Sequence, residues 1–148
     1  MISQDILERA KRVRLLIIDI DGVMTDGRIV YSIYGDELKF FDVTDGFGIS
    51  LLRAAGIPSV IITAKKSRIV TLRARDMRVA KTYQGYLDKV IPFEKILKRF
   101  KVAPDSICFV GDDLIDIPVL KRGAVREVCD IILKSQGKWE EVAGKFIK

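Results

Sequence analysis

Short runs of aliphatic and β-branched residues alternate along this chain with stretches whose apolar positions recur every three or four residues. Val13 to Ile18, Ser59 to Thr63, Val79 to Tyr83 and Ile107 to Val110 read as strands, with Gly46 to Ala55, Ser67 to Met77 and Lys89 to Phe100 as helices between them. Strands alternating with helices predict a parallel sheet covered on both faces, a Rossmann-like, doubly wound α/β fold. Arg28 to Val43 departs from that rhythm. There Ile29-Val30-Tyr31 and Leu38-Lys39-Phe40-Phe41 flank Tyr34-Gly35-Asp36-Glu37, the pattern of a β-hairpin turning at Gly35 and inserted after the first strand. Its apolar residues occupy both phases of the alternation. That predicts packing against something beyond its own sheet, such as another subunit, or else a hairpin folded over the core. The C-terminal third reads as helices over Ile115 to Lys121, Ala124 to Leu133 and Lys138 to Phe146, with a break at Gly137.

With 148 residues, 49% of them hydrophobic, the chain has the size and the apolar content of one domain. Its longest apolar stretches fall well short of the roughly 20 residues that span a bilayer, and Ser3 to Arg12 mixes acid and base where a signal peptide would be apolar. A soluble, cytoplasmic protein with no membrane partner is expected. Cys108 and Cys129 lie inside apolar patterns without metal-ligand spacing, which predicts reduced, buried thiols. There is no histidine, so Ser-His and Cys-His catalysis are excluded and carboxylates and lysines remain as the acid-base groups. The net charge of +6 is spread over helical stretches such as Arg68 to Arg78 and Lys95 to Lys101. Such spreading fits a solvated surface, or a field focused on a phosphate site, and no basic block with interleaved aromatics suggests nucleic acid.

Two acidic clusters stand out. Asp19-Ile20-Asp21-Gly22 follows the apolar run Leu15 to Ile18, so Asp19 and Asp21 could face one mouth while Ile20 packs away and Gly22 turns the backbone. Buried acids are costly without a cation or a hydrogen-bond network, so this is a seat for Mg2+ and a phosphate, or else an ordinary Asp-Gly turn. Gly111-Asp112-Asp113-Leu114-Ile115-Asp116 repeats the arrangement after Ile107 to Val110. If the sheet winds outward from its first strand and then jumps back, both clusters meet at the topological switch point, where open α/β sheets bind ligands. Converging carboxylates there call for a hard cation, although helix capping by Asp112 or Asp113 would also account for the second cluster. Thr63, at a strand end, could offer its hydroxyl and the following N–H groups to a phosphate oxygen, or could simply begin a turn. Lys89, at a helix start, could neutralise phosphate and nucleophile, or lie exposed like most lysines.

The ordered set D-I-D-G-V-M-T-D-G, I-T-A-K-K-S, Y-Q-G-Y-L-D-K and G-D-D-L-I-D-I-P-V resembles the haloacid dehalogenase superfamily of aspartate-nucleophile phosphatases. Within it the chain is similar to the small 3-deoxy-D-manno-octulosonate 8-phosphate phosphatases, which lack a cap domain. F-D-V-T-D-G-F-G-I, G-A-V-R-E-V-C and Q-G-K-W-E-E-V extend the likeness over nearly the whole chain. The resemblance implies Asp19 as nucleophile and Asp21 as general acid and base. It implies Mg2+ held by Asp19, the backbone carbonyl of Asp21 and Asp112, with Asp113 and Asp116 in support. Thr63 and Lys89 then match the phosphate-binding hydroxyl and lysine, and a homotetramer built on the hairpins is implied.

Two departures from the family pattern bear on this. Ala64-Lys65 stands where relatives usually carry Gly-Arg, so a substrate-binding role for Lys65 would lack the arginine's bidentate fork. Relatives also place roughly thirty residues, with a further strand, where Arg122 here runs straight into Gly123, a spacing to be set against the elements a βα fold needs. Losing a strand would expose its neighbours' apolar surface, so an omitted stretch with continuous numbering is the favoured reading. The expected activity is Mg2+-dependent hydrolysis of 3-deoxy-D-manno-octulosonate 8-phosphate in lipopolysaccharide precursor synthesis. Alternatives are a phosphatase for a nine-carbon sugar acid 9-phosphate, a receiver-like module phosphorylated on Asp, and an inactive scaffold.

Overall fold

The computed structural model describes residues 4–35, 37–111 and 124–145. Within them, β1 (Leu15–Ile18), β4 (Ser59–Thr63), β5 (Lys81–Gln84) and β6 (Ile107–Val110) form a parallel sheet in the order β5-β4-β1-β6. The chain winds outward from β1 through β4 to β5, then returns to lay β6 on the other side of β1. This is the switch point expected from the order of elements. Ile18 lies level with Ile61 on one side and Val110 on the other, so these three strands end at a common carboxyl edge.

Every residue of β1 and β4 is buried, as parallel strands covered on both faces require. Strand alternation sends Leu16, Ile18 and Ile61 to one side and Leu15, Ile17, Val60 and Ile62 to the other. The first set meets α2 (Val43–Ala54) through Ile49 and Leu52, α3 (Arg68–Asp76) through Val70 and Ala74, and α5 (Ala124–Ser135) through Ile132 and Leu133. The second set meets α4 (Val90–Phe100) through Ile96 and Phe93. Each such side chain contributes about 1.5 to 3 kcal/mol by leaving water, which fixes the strand ends that carry the polar residues.

Some boundaries differ from the sequence reading. α2 begins three residues earlier than the apolar pattern indicates, because Asp42 caps it by accepting the Thr44 N–H at 2.7 Å. β1 and β5 each start two residues later, at Leu15 and Lys81. An additional helix, α1 (Gln4–Lys11), precedes β1. Its mixed charges, read from sequence only as the absence of a signal core, form i, i+3 and i, i+4 pairs such as Lys11 with Glu8. Gln136, at the end of α5, ties α1 down by donating to the carbonyls of Ala10 and Val13 at 3.3 and 2.9 Å. The final helix, α6, covers Trp139–Gly144, and the expected helix over 115–121 lies outside the described residues. No helix among the described residues is long and apolar enough to cross a membrane.

The hairpin is present but short: β2 (Val30–Tyr31) pairs antiparallel with β3 (Glu37–Leu38), and Gly35 turns with φ +80°. Two residues per strand cannot hold themselves together in water, so the hairpin must be held from outside. Leu38 and Phe40 face solvent, while Phe41 packs on the core and under the Arg73 guanidinium. The two apolar phases of the sequence therefore serve different surroundings.

Candidate active site

Asp19 stands one residue beyond β1, where its N–H donates to the Val110 carbonyl at 2.9 Å. Ile20 turns into the core, and the backbone then leaves the sheet through a turn in which the Met24 N–H donates to the Ile20 carbonyl at 2.9 Å. Gly22 takes φ +82°, and the buried Thr25 hydroxyl accepts from the N–H groups of Gly22 and Gly27 at 3.2 and 3.3 Å. Thr25 went unremarked in the sequence, where its place in M-T-D-G was the only available signal. The turn leaves Asp19 6% exposed, while the Asp21 side chain keeps 43% of its surface in water.

Lys89 reaches Asp19 from the far side of the sheet. β5 ends at Gln84, Gly85 turns at φ +81° and donates its N–H to the Thr63 carbonyl at 3.0 Å, and α4 starts with Asp88 accepting the Val90 N–H at 2.9 Å. Lys89 precedes the first residue of α4 and is 8% exposed; its ammonium lies 3.0 Å from Asp19 Oδ2. The lysine is thus buried and paired, not one of the exposed majority. Removing either member of such a pair strands the other charge in a poorly solvated place. Thr63 is buried at the end of β4, the strand next to β1, and so lies at the same carboxyl edge.

Glu37 and Lys39 were not singled out in the sequence. They occupy the phase of β3 opposite to Leu38 and Phe40, and the alternation Glu37-Leu38-Lys39-Phe40 was the signal that could have found them. The Lys39 side chain is only 4% exposed; its ammonium contacts the Asp21 carboxylate and lies 3.1 Å from Glu37. Glu37 also takes the Lys65 ammonium at 2.8 Å, and Lys65 in turn reaches the Tyr31 hydroxyl at 3.4 Å across the hairpin. Hydrogen bonding from Lys65 above all, with Lys39 and Ser67 adding to it against the opposing effect of burial, lowers the Glu37 carboxyl to about 2. Burial would lower the Lys39 pKa, but its hydrogen bonds to Asp21 and Glu37 outweigh that and raise it. The hairpin is therefore docked by a chain of alternating charges running from Asp21 to Lys65.

Of the residues singled out by sequence, the structure brings Asp19 and Lys89 into contact and sets Asp21 and Thr63 on the same edge. Lys65 is engaged by the hairpin through Glu37. Asp112, Asp113 and Asp116 lie outside the described residues. Among the described residues no group of three or more His, Cys, Asp or Glu is placed to hold a metal. Asp19 nevertheless offers hard oxygen donors at the edge where β6 ends beside it, the donor type that suits Mg2+.

No protein-family model matches the chain. Among curated proteins it is similar to the 3-deoxy-D-manno-octulosonate 8-phosphate phosphatase KdsC of Escherichia coli (strain K12), with 37% identity over 174 residues, covering 99% of this chain and 93% of the relative. That alignment is longer than the 148 residues here, so the relative has residues without a counterpart in this chain. The crystal structure of 3-deoxy-D-manno-octulosonate 8-phosphate phosphatase from Yersinia pestis superposes with a TM-score of 0.90 at 36% identity, over 94% of this chain and 90% of that one. The enzyme of the same name from Moraxella catarrhalis, solved in complex with a magnesium ion, a phosphate ion and KDO, gives a TM-score of 0.90 at 29% identity, over 98% and 99% of the two chains.

Proposed function

This chain belongs to the 3-deoxy-D-manno-octulosonate 8-phosphate phosphatase family of the haloacid dehalogenase superfamily, and on that footing we propose that it hydrolyses this sugar phosphate to the free sugar acid and phosphate with Mg2+, in lipopolysaccharide precursor synthesis. The observation that carries the reading is the buried Asp19–Lys89 pair at the carboxyl edge of the parallel sheet, two positions before a second, half-exposed carboxylate. The receiver-like and scaffold readings find no counterpart in these relatives, which are named as phosphatases.

In this mechanism the Asp19 carboxylate attacks phosphorus in line, the bond from phosphorus to the sugar oxygen breaks, and an aspartyl-phosphate forms. Asp21 gives a proton to the departing sugar oxygen, then takes one from the water that hydrolyses the intermediate, so its own proton count returns to the start. Lys89 pairs with Asp19 and meets the charge on the transferring group together with the Thr63 hydroxyl. Asp19, the Asp21 carbonyl and Asp112 would hold Mg2+, with Asp113 and Asp116 supporting them. The ion would offset the repulsion between an anionic nucleophile and an anionic phosphate.

The assembly belongs to the same proposal. Ile33 and Tyr34 are 93% and 85% exposed at the hairpin tip, and Leu38 and Phe40 are exposed on the face turned away from Glu37 and Lys39. A patch of this kind supports a homotetramer in which hairpins from several copies cover one another. Both cysteines are free, which supports a reducing, cytoplasmic location. Residues 1–148 form one domain on this reading, and the longer alignment with relatives supports a stretch between Arg122 and Gly123 that this sequence does not carry. The intact mass of the protein decides whether that stretch is deleted.

The deciding experiment measures phosphate release from 3-deoxy-D-manno-octulosonate 8-phosphate with Mg2+. Asp19→Asn is expected to abolish turnover while keeping the far-UV spectrum of the parent. Full metal-dependent turnover in that variant overturns the mechanism. A higher kcat/KM on a nine-carbon sugar acid 9-phosphate would move the substrate assignment and leave the chemistry in place.

A further inference from the structure

Asp21 has a demanding task and a poor anchorage. A carboxylate that must deliver a proton to one oxygen and later remove one from a water needs a single orientation, yet nearly half of its side chain is in solvent and it follows no regular element. The feature that restrains it is Lys39, whose ammonium contacts the carboxylate from a side chain almost wholly withdrawn from water. A lysine loses much rotamer freedom when buried this way, so the arrangement persists only because other contacts hold it. Glu37 grips the same ammonium at 3.1 Å and is itself held by Lys65 at 2.8 Å.

We propose that Lys39 is a positioning residue that fixes the Asp21 carboxylate for proton transfer, and that Glu37 holds Lys39 in place. The inserted hairpin thus contributes to the chemistry of its own subunit through one face while presenting the opposite, apolar face outward. The inference rests on the reading of Asp21 as general acid and base. Lys39 forms no bond in the reaction; the proton that Asp21 gives to the sugar oxygen leaves with the sugar, and a second proton, taken from the attacking water, replaces it.

Leaving-group dependence tests the idea, because nitrophenolate departs without a proton whereas a sugar alkoxide does not. Steady-state kinetics on the sugar phosphate and the pre-steady-state burst of nitrophenolate from p-nitrophenyl phosphate are measured for the parent, Lys39→Met, Lys39→Arg and Glu37→Gln. For Lys39→Met, kcat on the sugar phosphate is expected to fall about 10²-fold with little change in KM, while the burst rate stays within about threefold of the parent. Lys39→Arg is expected to recover about tenfold of that loss, because a cation is restored. Glu37→Gln, which keeps the ammonium and removes its holder, should show the same split on a smaller scale and serves if Lys39→Met does not fold. Equal losses on both substrates, or a raised KM at unchanged kcat, overturn the inference and make Lys39 a structural or a substrate-binding residue. Asp19→Asn run alongside keeps the two levels apart: an active Asp19→Asn protein refutes the phosphatase mechanism itself, whereas an inactive one beside an unsplit Lys39→Met refutes only the role of Lys39.

Discussion

Two carboxylates separated by one residue are held in opposite ways. Asp19 directly follows a strand whose every residue is buried, and its partner Lys89 stands at the start of a helix packed on the same sheet. Asp21 sits beyond the strand, and its partner Lys39 comes from a hairpin too short to be stable alone, docked through a charge chain whose inner members, Lys39 and Glu37, are largely buried and whose ends, Asp21 and Lys65, are half-exposed. The first half of the site takes its rigidity from the buried strand and from an ion pair shielded from water, which salt screens little. The second is held by ion pairs, which are screened by salt and titrate. On the proposed mechanism the nucleophile takes the first kind of support and the proton-transferring carboxylate the second, which is why the second depends on Lys39 and Glu37 to hold its orientation.

Lys89→Met should break the rigid half with the largest effect. It leaves Asp19 buried without its cation, so the unfolding free energy measured by urea titration without Mg2+ is expected to fall by about 3 to 5 kcal/mol. A loss near zero would mean that water already solvates Asp19 and that the two carboxylates are held alike. Next comes the outer face of the hairpin. On the proposed tetramer, Ile33→Asp combined with Tyr34→Asp is expected to reduce the mass seen by light scattering toward that of a monomer, while each subunit keeps its fold because both side chains are exposed. An unchanged mass would remove the hairpins from the assembly.

The smallest effect sharpens the ionic half. Glu37 has a carboxyl lowered from about 4.5 to about 2, chiefly by Lys65, so its contribution to hairpin docking is complete above about pH 4.5 and is lost as the pH falls through about 2. Lys65→Met removes the main cause, and the loss should then set in at higher pH, with only a small cost at neutral pH because Lys65 is partly exposed to water. Side-chain carboxyl NMR of Glu37, together with amide exchange at Val30 and Leu38, reads this shift. An unmoved Glu37 titration in Lys65→Met would show that Lys39 and Ser67 alone hold the carboxyl down.

How much of this was readable in advance follows from how local each feature is. Leu15 to Ile18 announced a buried parallel strand because two-sided burial writes itself as an unbroken apolar run, and the return of Ile107 to Val110 beside it followed from the order of elements. Asp19, Asp21, Thr63 and Lys89 were legible as candidates because short motifs at strand ends carry them. Lys39 and Glu37 were not, because an ion pair joining residues 18 positions apart depends on the direction in which the hairpin folds back. α1 and the early start of α2 were missed for a related reason. Charge pairs and a capping aspartate made those helices, and an apolar period does not report either.

By itself, then, the sequence determined the layered sheet, its carboxyl edge and the family of chemistry carried there, because apolar periodicity and short motifs act between near neighbours along the chain. Only the tertiary structure decided that Lys89 is buried against Asp19, that Lys65 is spent on the hairpin, and that Lys39 reaches Asp21. A lysine's surroundings are set by whichever distant segments fold around it, and its long flexible side chain leaves no periodic trace of where its charge will end.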